Sequence, residues 1–281
     1  MLSRRPSIGN RADPRRVASR LMPDYVFDAD TSVEHRGDGR YAGYLHDRWL
    51  IQDVPNGGYS MAVMLRACLE ASAHPHPLSV TGHFLSPAGT GEVEIATEMV
   101  KPGRTSTTMS AALIQDGRER IRMVATFGDF GDRDGPNHLY LEPPEIRPPF
   151  ETRRSLLVQS FPDNFNLRIP QSVAGGAMGE PTGGNEIGGT IEFVDGRPPD
   201  LLSLPVFADG FPPAAFNLGH PKWTPTLELT IHFWNHPVPG PVTAWFTADV
   251  VVGGYHDESG ELWDSAGNLV ARSRQLARIL G

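Results

Sequence analysis

Cysteine is almost missing from this chain. Cys68 is the single one, which excludes an internal disulfide framework and fits a reducing, cytoplasmic setting. Cys68 sits in an apolar run, where inert packing is the simpler expectation than nucleophilic chemistry. Long apolar runs are also missing: none approaches the roughly 18 residues of a membrane span. The first 20 residues carry six arginines (Arg4, Arg5, Arg11, Arg15, Arg16 and Arg20). They lack an apolar centre, so they read as a basic disordered arm over 1–24 and not as a secretory signal. A net charge of −8 argues against a nucleic-acid partner, although an anionic ligand could still meet a local basic patch. Several catalytic signatures are absent as well. There is no GxSxG elbow, no HExxH, no cysteine cluster, no GxGxxG between strand and helix, and no GxxxxGK[ST]. A serine hydrolase of the α/β type, a zinc protease and a phosphate-loop enzyme each lose their main motif. No metal and no cofactor is expected.

What is present is a repetition. Leu78-Ser79-Val80-Thr81-Gly82-His83-Phe84 reads against Leu227-Glu228-Leu229-Thr230-Ile231-His232-Phe233 at a constant offset of 149 residues. Each copy is followed by a Pro-containing turn, strand-like stretches, a Gly-bearing tight turn and a last apolar strand. A duplicated supersecondary unit is the first thing to read in a sequence.

In the first unit, Asn56-Gly57-Gly58-Tyr59 leads into 60–69, rich in helix formers and apolar on all sides except Arg66; such a helix must be mostly buried. Strands are expected at 78–84, 92–100, 105–114 and 121–127, with Asp116-Gly117 as a hairpin turn. The stretch 131–189 holds Pro143-Pro144, Pro148-Pro149, Gly175-Gly176, Gly183-Gly184 and Gly188-Gly189 and reads as a connection with little regular structure. The second unit brings a strand at 190–194, an apolar run over 201–208, and strands at 227–233, 242–252, 261–264 and 269–280, with Ala266-Gly267-Asn268 as the matching turn. The division is therefore 25–130 for the first unit, 131–189 for the connection and 190–281 for the second. One buried helix plus an antiparallel meander, twice, is an α+β pattern.

Three polar residues stand out of place. Asp209 ends an apolar run, where a helix C-terminus would disfavour negative charge. Gln275 shares strand parity with Ala271, Ser273 and Ala277, while Arg272 and Arg274 take the other face. Thr226 opens the repeated strand. Local sequence alone also allows a solvated turn, a satisfied buried amide and an ordinary strand residue. His83 and His232 fall at equivalent repeat positions and read as structural.

The chain from about Tyr25 resembles the thioesterase-like superfamily of double hotdog proteins, and within it type II acyl-CoA thioesterases. The resemblance rests on Trp49 with Asn56-Gly57-Gly58-Tyr59, His83-Phe84-Leu85-Ser86-Pro87, Gly103-Arg104-Thr105, Gln115-Asp116-Gly117-Arg118, and Trp263-Asp264 through Gly267 to Ser273-Arg274-Gln275. It implies two hotdog units sharing a continuous antiparallel sheet around two central helices. It implies hydrolysis of acyl-CoA in fatty-acid metabolism, with Asp209, Thr226 and Gln275 activating water, and a homodimer or higher oligomer. A non-catalytic acyl-binding or scaffold protein on the same fold is the alternative. Asn56, Gly57, Gly58, Tyr59 and Arg104 are the expected substrate-binding residues, with the Gly57 and Gly58 amides free to polarise the thioester carbonyl. The acyl chain is expected between the central helices, against Met61, Met64, Leu65, Phe207 and Phe211. Offsets of 149 and 150 place Ser60 and Ala125 where the second unit has Asp209 and Gln275, so one composite site per chain is expected.

Overall fold

A computed structural model describes residues 25–132, 134–151 and 160–280; the arginine-rich arm over 1–24 lies outside them. Thirteen strands form one sheet. They are β1 (Glu34–Gly37), β2 (Arg40–Leu45), β3 (His76–Phe84), β4 (Gly91–Lys101), β5 (Thr107–Gln115), β6 (Arg118–Gly128), β7 (Phe150–Glu151), β8 (Phe165–Pro170), β9 (Glu186–Phe193), β10 (Thr226–Phe233), β11 (Val242–Val252), β12 (Tyr255–Trp263) and β13 (Leu269–Arg278). The order across the sheet is β1-β2-β4-β5-β6-β3-β10-β13-β12-β11-β9-β8-β7, antiparallel at each step. The helices on it are α1 (Gly57–Ala71) from the first half and α2 (Leu204–Ala208) from the second.

The repeat offset is written into the register. β3 and β10 pair in the middle of the sheet, with Thr81 opposite Thr230, and 230 − 81 is again 149. Equivalent residues meet only on a two-fold axis, so the pseudo-dyad of the duplicated unit passes between these threonines. Their hydroxyl oxygens lie 2.9 Å apart. The seam joins two identical faces side by side, which is how two half-sheets become one.

α1 is buried nearly all round, as its composition requires. Gly58 through Leu65 are buried, with Ala67 and Cys68, and burial pushes the Cys68 thiol up to about 12. Asn56 caps the helix, its side-chain oxygen accepting from Tyr59 N at 2.8 Å. α2 is much shorter: Pro205 stands in its first turn, and Pro212 and Pro213 follow soon after its end. A proline near the start is tolerated, whereas prolines beyond it stop continuation. The two central helices are therefore unequal, one of 15 residues and one of 5.

The stretch 131–189 is more regular than its Pro and Gly pairs suggest. It holds β7, β8 and the start of β9, because Phe165, Leu167 and Ile169 alternate and line the cavity described below.

Arg197 ties the short N-terminal helix Val26–Asp30 to the second half. It is 7% exposed, donates to both oxygens of Asp28 at 2.8 and 3.1 Å and to Asp200 at 2.6 Å, and stacks over Phe27 with its guanidinium carbon 4.8 Å from the ring centre. Arg197→Met should lower stability by about 2–3 kcal/mol, read as a shifted urea midpoint. That is less than a fully buried pair would cost, because Arg66 still pairs with Asp28 and both carboxylates reach water.

Candidate active site

The end of α2 and the start of α1 meet head on. Asp209 is the C-cap residue of α2, the position where its charge opposes the local dipole. The conflict is resolved by the neighbouring helix. Its Oδ2 accepts from Gly58 N at 2.9 Å and from Asn56 Nδ2 at 2.8 Å, and Asn56 Nδ2 also reaches the Asp209 carbonyl at 2.8 Å. The carboxylate thus caps the positive end of α1, where backbone N–H groups favour an anion. Burial raises the carboxyl to about 6, against the downward pull of the Gly58 and Gly57 N–H groups and the Asn56 amide.

This contact closes one side of a cavity of about 720 Å³. Thr226 and Gln275 line the same cavity. Gln275 lies on β13 opposite Leu229 of β10, and Thr226 lies opposite Ala277. The ladder slips by one residue between Thr226 and Glu228, and the bulge brings Thr226 to the face of Gln275, which an unbroken alternation would give to Leu227. The first half carries the same bulge between Pro77 and Ser79, at the repeat offset.

A fourth polar residue completes the site, and the sequence pattern did not reveal it. Glu258 on β12 lies directly opposite Gln275, is 7% exposed and lines the cavity. The Ala214 N–H donates to its Oε2 at 2.6 Å. Burial pushes its carboxyl up to about 7, and the charge of Asp209 adds to that. Its inward neighbours on β12 include His256, so no apolar alternation marks the strand. Counting from the Gly267 turn would not have found it: Trp263 pairs with Leu269, and a bulge between Leu262 and Trp263 shifts the ladder by one, so that Glu258 meets Gln275 instead of Arg274.

The halves differ at each of these positions. Gln275 pairs with Leu229 and Glu258, whereas Ala125 pairs with Val80 and Met109. The polar set Asp209, Thr226, Glu258 and Gln275 therefore corresponds to Ser60, Pro77, Met109 and Ala125. The second half supplies the polar side chains, and the first half supplies the helix N-terminus that holds Asp209.

The other expected site residues divide between the cavity and places away from it. Asn56 and Gly57 line the cavity. The Gly58 N–H is taken by Asp209 and is not free for a substrate carbonyl. Tyr59 turns into the core, stacks on Trp49 with ring centres 4.9 Å apart, and donates its hydroxyl to the Asp30 carbonyl at 2.8 Å; helix periodicity sends it away from the cavity that its neighbours face. Arg104 lies in the β4–β5 turn, its carbonyl 3.2 Å from His74 Nε2, and does not line the cavity. Met61, Met64, Leu65 and Phe207 are core residues. The cavity opens at the end of α1, where the short α2 leaves room, and its apolar wall includes Phe161, Phe165, Leu167, Ile169, Phe211 and Phe216. Its charged lining among the described residues is Glu151, Asp163, Asp209 and Glu258, with no arginine or lysine. Arg272 and Arg274 sit on the outer face, paired with Glu261 at 3.7 Å and with Asp257. Among the described residues no cluster of His, Cys, Asp and Glu is arranged to hold a metal, and no helix is long and apolar enough to cross a membrane.

Comparison with known proteins agrees with the architecture. Residues 45–128 match the model of the acyl-CoA thioesterase N-terminal domain, and 141–279 match that of its C-terminal domain. A crystal structure of a thioesterase II candidate from Thermobifida fusca is 34% identical, with a TM-score of 0.84 over 93% of this chain and 100% of that one. A hot dog fold protein of unknown function from Alicyclobacillus acidocaldarius is 22% identical, with a TM-score of 0.80 over 92% and 98%. An uncharacterized protein of Mycobacterium tuberculosis is 23% identical over 274 residues, 85% of this chain and 90% of that protein. With the duplicated antiparallel sheet, the two unequal central helices and both family domains matched in order, the chain belongs to the acyl-CoA thioesterase family and has its double hotdog fold.

Proposed function

We propose that the chain hydrolyses acyl-CoA thioesters, with Asp209 drawing a proton from a water that Thr226 and Gln275 help to orient. The observation that carries this reading is that a carboxylate, a hydroxyl and an amide from three separate elements line one largely apolar cavity. A base whose carboxyl titrates near 6 is ionised at neutral pH, yet basic enough to take a proton in the transition state. The amides expected for the thioester carbonyl are engaged by Asp209, so the Gln275 side chain, unshared with the α1 N-terminus, is the better donor to the developing oxyanion. The apolar wall receives the acyl chain. The phosphates of coenzyme A stay outside, since the described lining offers them no cation.

Thiol release from medium- and long-chain acyl-CoA tests the reading. Turnover above the buffer rate supports it; binding without turnover leaves the acyl-ligand-binding alternative in its place. Gln275→Ala and Thr226→Val should each slow turnover, and the double variant should lose less than the product of the two single losses, because the residues act with Asp209 as one unit. A fully multiplicative loss would speak for separate roles. A homodimer or larger assembly is part of the same proposal, and light scattering at micromolar concentration reads it.

A further inference from the structure

A thioester hydrolase has two proton tasks, one at the attacking water and one at the departing sulfur. Asp209 serves the first. Nothing in the trio serves the second: threonine and glutamine are poor acids. Among the described lining, Glu151, Asp163 and Glu258 are further carboxyl groups, and Glu258 is the one set directly opposite Gln275. Glu258 enters it from the sheet, on β12, while Asp209 enters from the helix layer. Two buried carboxyl groups in one largely apolar cavity, close enough that the charge of Asp209 raises the Glu258 carboxyl, do not ionise together; the better hydrogen-bonded one takes the charge and the other keeps the proton. The donors decide which is which. Asp209 has the Gly58 N–H and the Asn56 amide on Oδ2 and sits at the positive end of a 15-residue helix. Among the described residues Glu258 has one donor, the Ala214 N–H on Oε2. Gln275, across the ladder from Glu258, is neutral. His256, two residues earlier on the same strand, is held below the usual imidazole range by burial and carries no charge at neutral pH. Glu258 is therefore the neutral member of the pair.

We propose, resting on the thioesterase reading, that Glu258 is a second catalytic residue, a neutral carboxylic acid that protonates the departing thiolate. Water adds to the thioester carbon as Asp209 takes its proton. The tetrahedral adduct collapses, the carbon–sulfur bond breaks with its electron pair going to sulfur, and sulfur takes the proton of Glu258. The products are a carboxylic acid and a thiol. Asp209 is left protonated and Glu258 ionised, and transfer of one proton from Asp209 to Glu258, directly or through water, restores the starting state. The first half has Met109 at the equivalent place, which agrees with a role confined to the one active half.

The leaving group provides the test. Glu258→Gln keeps size, neutrality and an oxygen for the Ala214 N–H, so it should fold, which thermal unfolding checks; it has no proton to give. Against acyl-CoA, whose alkyl thiolate is a poor leaving group, it should lose roughly 10²-fold in kcat, the scale of general-acid catalysis. Against the matching aryl thioester, whose thiolate needs no proton, it should stay close to wild type. Asp209→Asn should slow both substrates alike, which separates the two assignments. Equal loss on both substrates in Glu258→Gln would make Glu258 structural and overturn the proposal. An inactive wild type on either substrate would overturn the thioesterase reading itself. A measurement without substitution covers a variant that fails to fold: in wild type, the ratio of acyl-CoA to aryl-thioester rates should fall as Glu258 ionises above neutral pH. A ratio that stays flat from weakly acidic to alkaline pH would also overturn the proposal.

Discussion

Asp209→Asn should yield a folded protein that turns over acyl-CoA at least about 10²-fold more slowly, the range set by removing a general base. The substitution keeps the size of the side chain and an oxygen to accept from Gly58 N, so the junction of α1 and α2 survives. It removes the basic charge in the proposed trio. The loss should fall on kcat and leave KM nearly unchanged, because the proposed acyl wall, with Phe165, Leu167 and Phe211, is untouched. The pH profile carries a second signature. Burial lifts the Asp209 carboxyl to about 6, so the base is protonated below that value and kcat/KM should rise as pH climbs through it. The residual rate of Asp209→Asn should lack this limb. Full turnover in the variant would end the assignment of Asp209 as base. The same shifts set a stability trend of known sign. Asp209 and Glu258 both hold their protons more tightly folded than unfolded, so their contribution favours the fold at low pH and is lost as pH rises through about 6 and about 7.

Much of the fold was legible because duplication makes an antiparallel sheet self-consistent. The 149-residue offset foretold which strands would be equivalent; that the repeated strands themselves form the joint, with Thr81 opposite Thr230, is seen only in the structure. Strands bounded by strong turns were placed well: Asp116 and Gly117 both take positive φ, at 52° and 70°, as a two-residue hairpin turn demands. β12 was read as too short. Its inward face begins with His256 and Glu258, so alternation of apolar and polar residues is visible only from Gly260 on. The same polar pair that hid the strand supplies the residue missing from the sequence reading of the site. Active-site strands break pattern rules because the buried position holds a working group. Asp209 was flagged by the reverse logic, a carboxylate at an unfavourable helix end, but its remedy lies 151 residues away at Gly58, and no local rule reaches that far. The amides of Gly57 and Gly58 were read as free to polarise a substrate carbonyl; the Gly58 N–H meets the protein's own Asp209 carboxylate instead.

Gly58→Ala should therefore damage both the fold and the proposed site. A Cβ at Gly58 would stand 2.1 Å from the Pro205 carbonyl oxygen, 2.7 Å from its carbon and 2.9 Å from Val206 Cα. All three atoms are backbone of α2, so no rotamer change relieves the contact and the two helices must part. The Pro205 carbonyl is the acceptor of the Asp209 N–H at 3.2 Å, so the displacement passes straight to the proposed base and to its bond with Gly58 N. Overpacking of this kind costs about 1–3 kcal/mol, and misplacing a reacting group by about 1 Å costs roughly 10²-fold in rate. Both losses are expected together, the first in urea unfolding and the second in kcat measured well below the unfolding midpoint. Gly117→Ala provides the comparison. That glycine has φ +70° and open space around its missing Cβ, so alanine there strains the β5–β6 turn by about 1 kcal/mol without touching the cavity, and kcat should hold. If Gly58→Ala lost stability yet kept full turnover, the close approach of α1 to α2 would be a packing feature alone, and Asp209 would not depend on the first half for its position.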